Sequence, residues 1–286
     1  MHTRKPFPVD RSGVQYVNNT VTATTTEQQR VAIVDDNTTR AAELADATGL
    51  ALIKADTSLR KHSTQWSYTL LWVNEQLTLR HHEPKRSVDI TIDFTAGRTL
   101  HRLKFGGGHG QPLARAVKSR DKPIIGDATA GFGKDAFVFA SLGCEVVLLE
   151  RSTVVHAMLN DALTRAIKKA ETKAIVERMH LYLADSTLLP SNWPHPQTPN
   201  IIYLDPMYPD SKRAAKKEIQ TLRTLLDTAQ GPYSKQDNEK LLSAALATAE
   251  RVVVKRPRKA NPLADVNPVG KISSPNTRYD IYSSAE

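Results

Sequence analysis

The chain has 286 residues, a formal net charge of +9 at pH 7, and 40% hydrophobic residues. This length suits one large domain or two modest ones, and the positive balance favours a polyanionic partner. A single cysteine, Cys144, excludes a disulfide framework and a cysteine metal cluster. The sequence has no apolar run of 18 residues and no apolar stretch near its start, so we expect a cytoplasmic protein without a membrane span.

The N-terminal third predicts a small α+β domain over residues 30–104. Residues 1–29 are polar and threonine-rich without clear periodicity, which predicts a poorly ordered extension. The pattern then predicts a strand, a helix ended by Gly49 and a second strand. Asn74-Glu75 marks a hairpin turn, and a further strand follows. The predicted bounds of these elements are 31–35, 38–48, 51–54, 68–73, 76–80 and 88–94.

A glycine-rich stretch, KFGGGHG, occupies residues 104–110. Four glycines in five residues allow the backbone to approach a ligand closely. Lys104 and Phe105 could then contact RNA through charge and stacking, although a flexible linker explains the same stretch equally well. A predicted helix over 111–120 follows, so residues 105–120 join the first domain to the rest of the chain.

Residues 123–151 predict a strand–loop–helix–strand unit. Two continuously apolar runs, ending at Gly126 and Leu149, flank a small-residue loop and an amphipathic helix over 134–142. Such strands are typical of a parallel sheet covered by helices on both faces. In open α/β sheets the ligand lies at the carboxyl ends of the strands. The loop of residues 127–133 and Glu150 both fall at such ends.

Three interpretations of this loop compete. A P-loop fails, because Lys134 is followed by Asp135 and residue 128 is alanine. The run from Gly131 fits a G-x-G-x-x-A dinucleotide loop, with Glu150 placed for a ribose. Asp127, however, is unfavourable beside a pyrophosphate and suits a ligand that carries an ammonium group. We therefore favour S-adenosylmethionine, which has an ammonium, a sulfonium and no phosphate.

Further strand and helix patterns complete a Rossmann-like α/β domain over residues 121–286. A predicted helix over 153–174 leads to a strand over 180–183, which closes on Asp185-Ser186, where an adenine amino group would be recognised. After the strand that precedes Asp205, the remaining elements are a helix over 239–248, a strand over 251–255 and a terminal antiparallel hairpin formed by 271–274 and 278–282.

The apolar run that precedes Asp205 ends in Asp-Pro-Met-Tyr-Pro. Pro206 has no N–H group, so the strand must stop there and hold Asp205 at its carboxyl end. A carboxylate and a proline-constrained carbonyl accept the hydrogens of an exocyclic amine, while Tyr208 stacks on the base. This pattern is typical of an amino-group methyltransferase. Candidate RNA contacts in the basic segments that follow are Lys212, Arg213, Lys216, Lys255 and Arg256.

Taken together and in order, KFGGG, DATAGFGKDAF, LLER, LADS, YLDPMYP, VVVKRP and RYDIY resemble the ribosomal RNA small-subunit methyltransferase J family. The resemblance runs from about residue 30 to the end of the chain. It implies methyl transfer from S-adenosylmethionine to a guanine N2 amine of small-subunit (16S) ribosomal RNA, without a metal. The cofactor contacts that the resemblance implies are Lys134, Asp135, Glu150, Arg151, Asp185, Ser186 and Asp205. The loop pattern adds Asp127 and Gly131 to these candidates.

Other functions stay open at this point. The Asp-Pro-x-aromatic turn serves any exocyclic amine, so an adenine-N6 methyltransferase acting on DNA or RNA is the nearest alternative. A dinucleotide-dependent oxidoreductase would use the same glycine loop, and a non-catalytic RNA-binding protein could have kept the fold. Lys134 also departs from the arginine usual in the family, and loses the bidentate fork of a guanidinium.

Overall fold

The computed structural model describes residues 24–54, 66–83, 87–96, 107–206 and 235–284. Its N-terminal part contains a five-stranded sheet in the order β2-β1-β3-β4-β5, with bounds β1 Val31–Asp35, β2 Ala51–Lys54, β3 Tyr68–Val73, β4 Gln76–His81 and β5 Val88–Thr91. Strand β1 runs parallel to both of its neighbours. Strands β3 and β4 form the predicted hairpin, and its turn residues Asn74 and Glu75 have positive φ.

Among the described residues, the helices that accompany this sheet are α1 (Thr25–Arg30) and α2 (Thr39–Thr48). Helix α2 ends at the predicted Gly49, which is left-handed at φ 70°. The predicted extension over 1–29 is wrong for its last residues, since α1 begins within it. A capping box forms this start, because Thr24 and Glu27 each accept a hydrogen bond from the other's backbone N–H. A short threonine-rich segment gave no periodicity from which to predict the helix.

Seven strands form the second sheet, with bounds β6 Ile124–Asp127, β7 Glu145–Glu150, β8 Met179–Leu183, β9 Ile201–Leu204, β10 Arg251–Pro257, β11 Gly270–Ser273 and β12 Thr277–Ser283. Their spatial order is β11-β12-β10-β9-β6-β7-β8. Strands β6 to β10 pair parallel, and β12 pairs antiparallel with both β10 and β11. The predicted Rossmann-like sheet and its terminal hairpin are therefore confirmed.

The order in which successive parallel strands are added to this sheet reverses between β6 and β9. From β6 it moves outward through β7 to β8, and it then returns to place β9 on the other side of β6. Every residue of β9 is buried, as is most of β6 and β7. Because loops leave adjacent strands in opposite directions at such a point, a crevice opens at the carboxyl ends of β6 and β9.

In the described part of the chain five more helices follow, with the bounds α3 Pro112–Ala116, α4 Lys134–Ser141, α5 Thr153–Ala166, α6 Ala170–Val176 and α7 Lys235–Thr248. The single helix predicted over 153–174 is broken, because Lys169 is extended at φ −105° and ψ 128°. Thr172 Oγ1 donates to the carbonyl of Ala166 at 2.6 Å and satisfies the broken end. The helix predicted over 111–120 stops at Ala116 before a short 3₁₀ turn. Among the described residues no helix is long and apolar enough to cross a membrane.

The two sheets share one core rather than folding as separate bodies. The rings of Phe94 and Phe137 stack with centroids 4.9 Å apart across the junction. Asp161 on α5 accepts a hydrogen bond from the backbone N–H of Leu77 at 3.0 Å. Arg165 on the same helix donates to the carbonyl of Ile92. The N-terminal part is therefore fixed against the helices that cover the larger sheet.

Candidate active site

The switch point brings Asp127 and Asp205 to adjacent strand ends. Asp127 is the last residue of β6, and Asp205 follows directly after β9. The loop between β6 and α4 is joined to β9, since Ala128 N donates to the carbonyl of Tyr203 at 3.0 Å. The backbone N–H of Asp205 in turn donates to Thr129 Oγ1 at 2.6 Å. Both acids therefore occupy fixed positions beside the crevice.

Glycine is required in this loop by backbone conformation and by space. Gly131 and Gly133 have φ values of 51° and 66°, in the left-handed region. A Cβ on Gly133 would lie 3.0 Å from Leu159 Cδ1 and 3.2 Å from Phe94 Cζ. The loop therefore stays close to the sheet and leads directly into α4 at Lys134.

The carboxylate of Glu150 is held at the end of β7 by two backbone donors. Gly131 N donates to one oxygen at 2.9 Å and Ser152 N donates to the other at 2.7 Å. Burial raises the pKa of Glu150, although these hydrogen bonds act in the opposite direction. Because a carboxylate has about four acceptor positions, lone pairs are left for the two hydroxyls of a ribose. The predicted placement of Glu150 beside the glycine loop is confirmed.

Glu27 is a residue that sequence reasoning missed. It lies on α1, is 0% exposed, and accepts a hydrogen bond from Ser152 Oγ at 2.7 Å. Ser152 thus joins two carboxylates, donating from its backbone to Glu150 and from its hydroxyl to Glu27. The N-terminal helix consequently supports the turn that carries Glu150. The capping-box spacing of Thr24 and Glu27 was the one sequence signal that could have indicated this helix.

Asp127 is a buried acid in an acidic environment. It is 2% exposed, and its carboxylate accepts a hydrogen bond from Thr129 N at 3.2 Å. Burial, together with the charges of Asp135 and Asp205, raises the pKa of Asp127 to about 8, although the hydrogen bond from Thr129 and the charge of Lys255 act in the opposite direction. A cationic group placed next to this carboxyl would favour its ionised form. Asp127 therefore fits a ligand that carries an ammonium group.

We expect Asp127→Asn to change how thermal stability depends on pH. The folded protein keeps a proton that the unfolded chain releases above its pKa near 3.8, so stability falls as the pH rises from about 4 to about 8. Each pKa unit corresponds to about 1.4 kcal/mol. Asparagine does not titrate, so the Tm of the variant should rise relative to wild type between pH 5 and pH 8. Thermal scans with the exposed Asp121→Asn as control test this, and a constant Tm difference would contradict it.

A chain of side chains crosses the crevice from α4 to β10. Asp135 Oδ2 accepts hydrogen bonds from Tyr203 Oη at 2.8 Å and from Lys255 Nζ at 2.7 Å. Lys255 Nζ also donates to Asp205 Oδ2 at 2.8 Å. The structure thus places Lys255, predicted as an RNA contact, between two carboxylates of the site.

The other predicted cofactor residues surround the same edge of the sheet. Ser186 is buried and donates to the carbonyl of Ala128 at 2.7 Å, whereas Asp185 is exposed and accepts from Thr187. Lys134 is exposed, with its ammonium 5.2 Å from the ring centre of Phe132. Arg151 is half-buried next to Glu150. Their contacts with a cofactor remain predictions.

The predicted catalytic and RNA-binding residues are only partly described. Pro206 is buried directly after Asp205. Arg256 is 6% exposed, and its guanidinium donates twice to the carbonyl of Asn261 in the loop after β10, whereas its contact with RNA stays a prediction. The predicted residues outside the described part of the chain are Lys104, Phe105, Tyr208, Lys212, Arg213 and Lys216.

The hydrogen-bond acceptors of this crevice fit S-adenosylmethionine. Glu150 offers acceptors for ribose hydroxyls, and the carboxyls of Asp127 and Asp205 suit an ammonium and a sulfonium. A pyrophosphate in the same loop would meet the carboxyl of Asp127, which disfavours a dinucleotide.

Comparison with known proteins also indicates an enzyme that uses S-adenosylmethionine. The protein family described as "Putative SAM-dependent methyltransferase" matches residues 53–284. A solved SAM-dependent methyltransferase from Neisseria gonorrhoeae is 30% identical with a TM-score of 0.69, and the match covers 89% of this chain and 96% of that one. The fold, the site and the family match define an S-adenosylmethionine-dependent methyltransferase.

Two relatives identify the family within this class of methyltransferases. A ribosomal RNA small subunit methyltransferase J from Hydrogenovibrio crunogenus is 49% identical over 70% of this chain and 72% of its own length. The protein of that name from Tolumonas auensis is 38% identical over 89% of this chain and 97% of its own length. The chain belongs to the ribosomal RNA small subunit methyltransferase J family. The oxidoreductase alternative is thereby overturned.

Proposed function

We propose that this enzyme transfers a methyl group from S-adenosylmethionine to the exocyclic N2 amine of a guanosine in small-subunit (16S) ribosomal RNA. The observation that carries the proposal is Asp205, a 42% exposed carboxylate side chain fixed at the switch-point edge beside the glycine loop. The names of the relatives support ribosomal RNA as the substrate, and the net charge of +9 suits a polyanion. The enzyme would then act in the cytoplasm, where the ribosomal RNA is.

The residues of the site act mainly by positioning. Guanine N2 is a weak nucleophile because its lone pair is delocalised into the ring. Asp205 accepts a hydrogen of this amine, the carbonyl of Pro206 accepts the other, and the amine proton lost on methylation passes through Asp205 to solvent. When bound, S-adenosylmethionine supplies the methyl group, whose carbon–sulfur bond breaks as the nitrogen–carbon bond forms and leaves a neutral thioether. Alignment of the reacting groups contributes most of the remaining rate.

The acceptor base must leave its stack to reach Asp205. A paired or stacked guanine cannot present its amine to a crevice at a sheet edge, so the target nucleotide is extruded or already unpaired. Tyr208, three residues after Asp205, would stack on the extruded base.

Nucleotide mapping tests the proposed function. Small-subunit RNA from cells lacking the gene should miss one N2-methylguanosine, and purified enzyme with S-adenosylmethionine should restore it. Cells expressing Asp205→Asn instead should not recover the mark. Incubating the enzyme with naked 16S RNA and with small subunits in parallel identifies the substrate form. An unchanged set of methylated guanosines, or a new methyl group on an adenine N6, would contradict the proposal.

A further inference from the structure

The geometry points to Lys255 as a positioning residue that bridges Asp135 and Asp205 and fixes the carboxylate of Asp205 for the substrate amine. This inference rests on the proposed function and assigns Lys255 a task other than contact with RNA. The side chain of Lys255 is 29% exposed, and its ammonium lies 2.7 Å from Asp135 Oδ2 and 2.8 Å from Asp205 Oδ2.

Strand register explains why a residue of β10 reaches this position. Strand β9 ends at Leu204, which pairs with Val254 of β10, whereas β10 continues beyond it. Lys255 is therefore the next residue along β10, beside Asp205 where the backbone of β9 has turned away. Its long side chain can span from β10 to the first turn of α4.

The far end of the bridge is itself fixed. Asp135 lies in the first turn of α4, with a side chain 12% exposed. Its Oδ2 also accepts the hydroxyl hydrogen of Tyr203, whose pKa is held well above its usual value by burial and by the charges of Asp135 and Asp205. Tyr203 thus stays a donor, and its ring packs edge-on against Phe139 of α4 with centroids 5.1 Å apart. The ammonium of Lys255 is therefore held by a partner that does not move freely.

The charge of Lys255 matters because acids gather at this point. The negative charges of Asp135 and Asp205 contribute to the raised pKa of Asp127, and the ammonium of Lys255 between the two carboxylates acts in the opposite direction. Burial lowers the pKa of Lys255, but the charges of Asp205 and Asp135 outweigh burial and hold it above its usual value. Lys255 consequently remains charged throughout the working pH range. Without it, the carboxylate of Asp205 would lose a nearby cation and one of the contacts that orient it.

Three variants test this role. Lys255→Met keeps the length and removes the charge, Lys255→Arg keeps the charge, and Lys271→Met removes a matched charge from an exposed position on β11. The readouts are single-turnover methylation of 16S RNA at saturating cofactor from pH 6 to 9, cofactor affinity, Tm, and the salt dependence of RNA binding.

We expect Lys255→Met to slow methylation at pH 7 by about tenfold to a hundredfold, the scale of a misplaced reacting group. In the pH–rate profile of this variant, the fall in rate on the acid side should move upward by about 1–3 pH units, because a nearby cation no longer favours the carboxylate form of Asp205. The groups facing Lys255 that contribute to this profile are Asp127, Asp135, Asp205, Tyr203 and Tyr279. Lys255→Arg should recover most of the rate, and Lys271→Met should match wild type.

Two results would overturn the inference. A Lys255→Met enzyme with the wild-type rate and pH profile would show that the bridge only supports the fold. A loss confined to RNA affinity, with a shallower salt dependence, would return Lys255 to the predicted role of a phosphate contact. If Lys255→Met does not fold, Asp135→Asn removes a like charge near Asp205 and leaves Lys255 paired with Asp205 alone, so the acid limb of the pH–rate profile should move downward. An unshifted limb would count against the inference. Failure of wild type itself to methylate the RNA would instead refute the proposed function.

Discussion

Replacing Asp205 by asparagine should lower the single-turnover methylation rate by about 10²–10⁴-fold, the scale of a lost acid–base contact. Asparagine keeps the shape and one acceptor oxygen but loses the charge that draws the amine hydrogens. It also exchanges the Lys255–Asp205 ion pair for a weaker contact with a neutral amide. The fold should survive, since the backbone N–H that binds Thr129 Oγ1 is unchanged and asparagine suits a strand-end turn.

The rate of Asp205→Asn must be measured at saturating cofactor. The same carboxylate could interact with the sulfonium, so a weaker cofactor complex would otherwise lower turnover as well. Asp121→Asn supplies a matched control. Asp121 is exposed in the turn that precedes β6, at the amino ends of the parallel strands and therefore opposite the candidate site. A near-normal rate for Asp205→Asn under these conditions would remove Asp205 from the transfer step.

Replacing Glu150 by alanine should weaken S-adenosylmethionine binding by about 1–3 kcal/mol, or roughly fivefold to more than a hundredfold in Kd. Two effects combine in this variant. The acceptors for the ribose hydroxyls disappear, and the N–H groups of Gly131 and Ser152 lose the carboxylate that holds the glycine loop in place. Isothermal titration calorimetry of the purified protein with the cofactor measures the change directly.

Glu145→Gln is the control for this second experiment. Glu145 begins the same strand that Glu150 ends. Its carboxylate contacts His180 near the amino ends of β7 and β8, away from the candidate site. Its substitution should leave cofactor affinity within about twofold of wild type, as is usual for a surface change away from the site. Unchanged affinity in Glu150→Ala would remove Glu150 from the cofactor site.

The sequence alone determined the sheet and the edge at which the site lies. The continuously apolar runs before Asp127 and Asp205 could only be buried strands, and Pro206 had to end the second of them. Gly131 and Gly133 permit the left-handed backbone that the structure shows in this loop. These predictions succeeded because each depends on neighbouring residues, whose spacing sets burial and backbone conformation.

Helix boundaries were predicted less well, again for a local reason. The break between α5 and α6 depends on the extended conformation of Lys169 and on the hydroxyl of Thr172, neither of which interrupts the apolar periodicity. Helix α1 is too short to show a period, and its formation depends on Thr24 and Glu27. Periodicity is informative over several turns and says little about a single one.

Only the tertiary structure shows what Lys255 and Glu27 contact. Lys255 is 120 residues from Asp135 and 50 from Asp205, and Glu27 is 125 residues from Ser152. No local pattern encodes such contacts, because they depend on strand order, on the register of β10 beside β9 and on the contact between α1 and the start of α5. A basic residue after an apolar strand therefore suggested a phosphate contact until the fold placed two carboxylates around its ammonium. The sequence determined which groups lie at the strand ends, and the fold determined which of them meet.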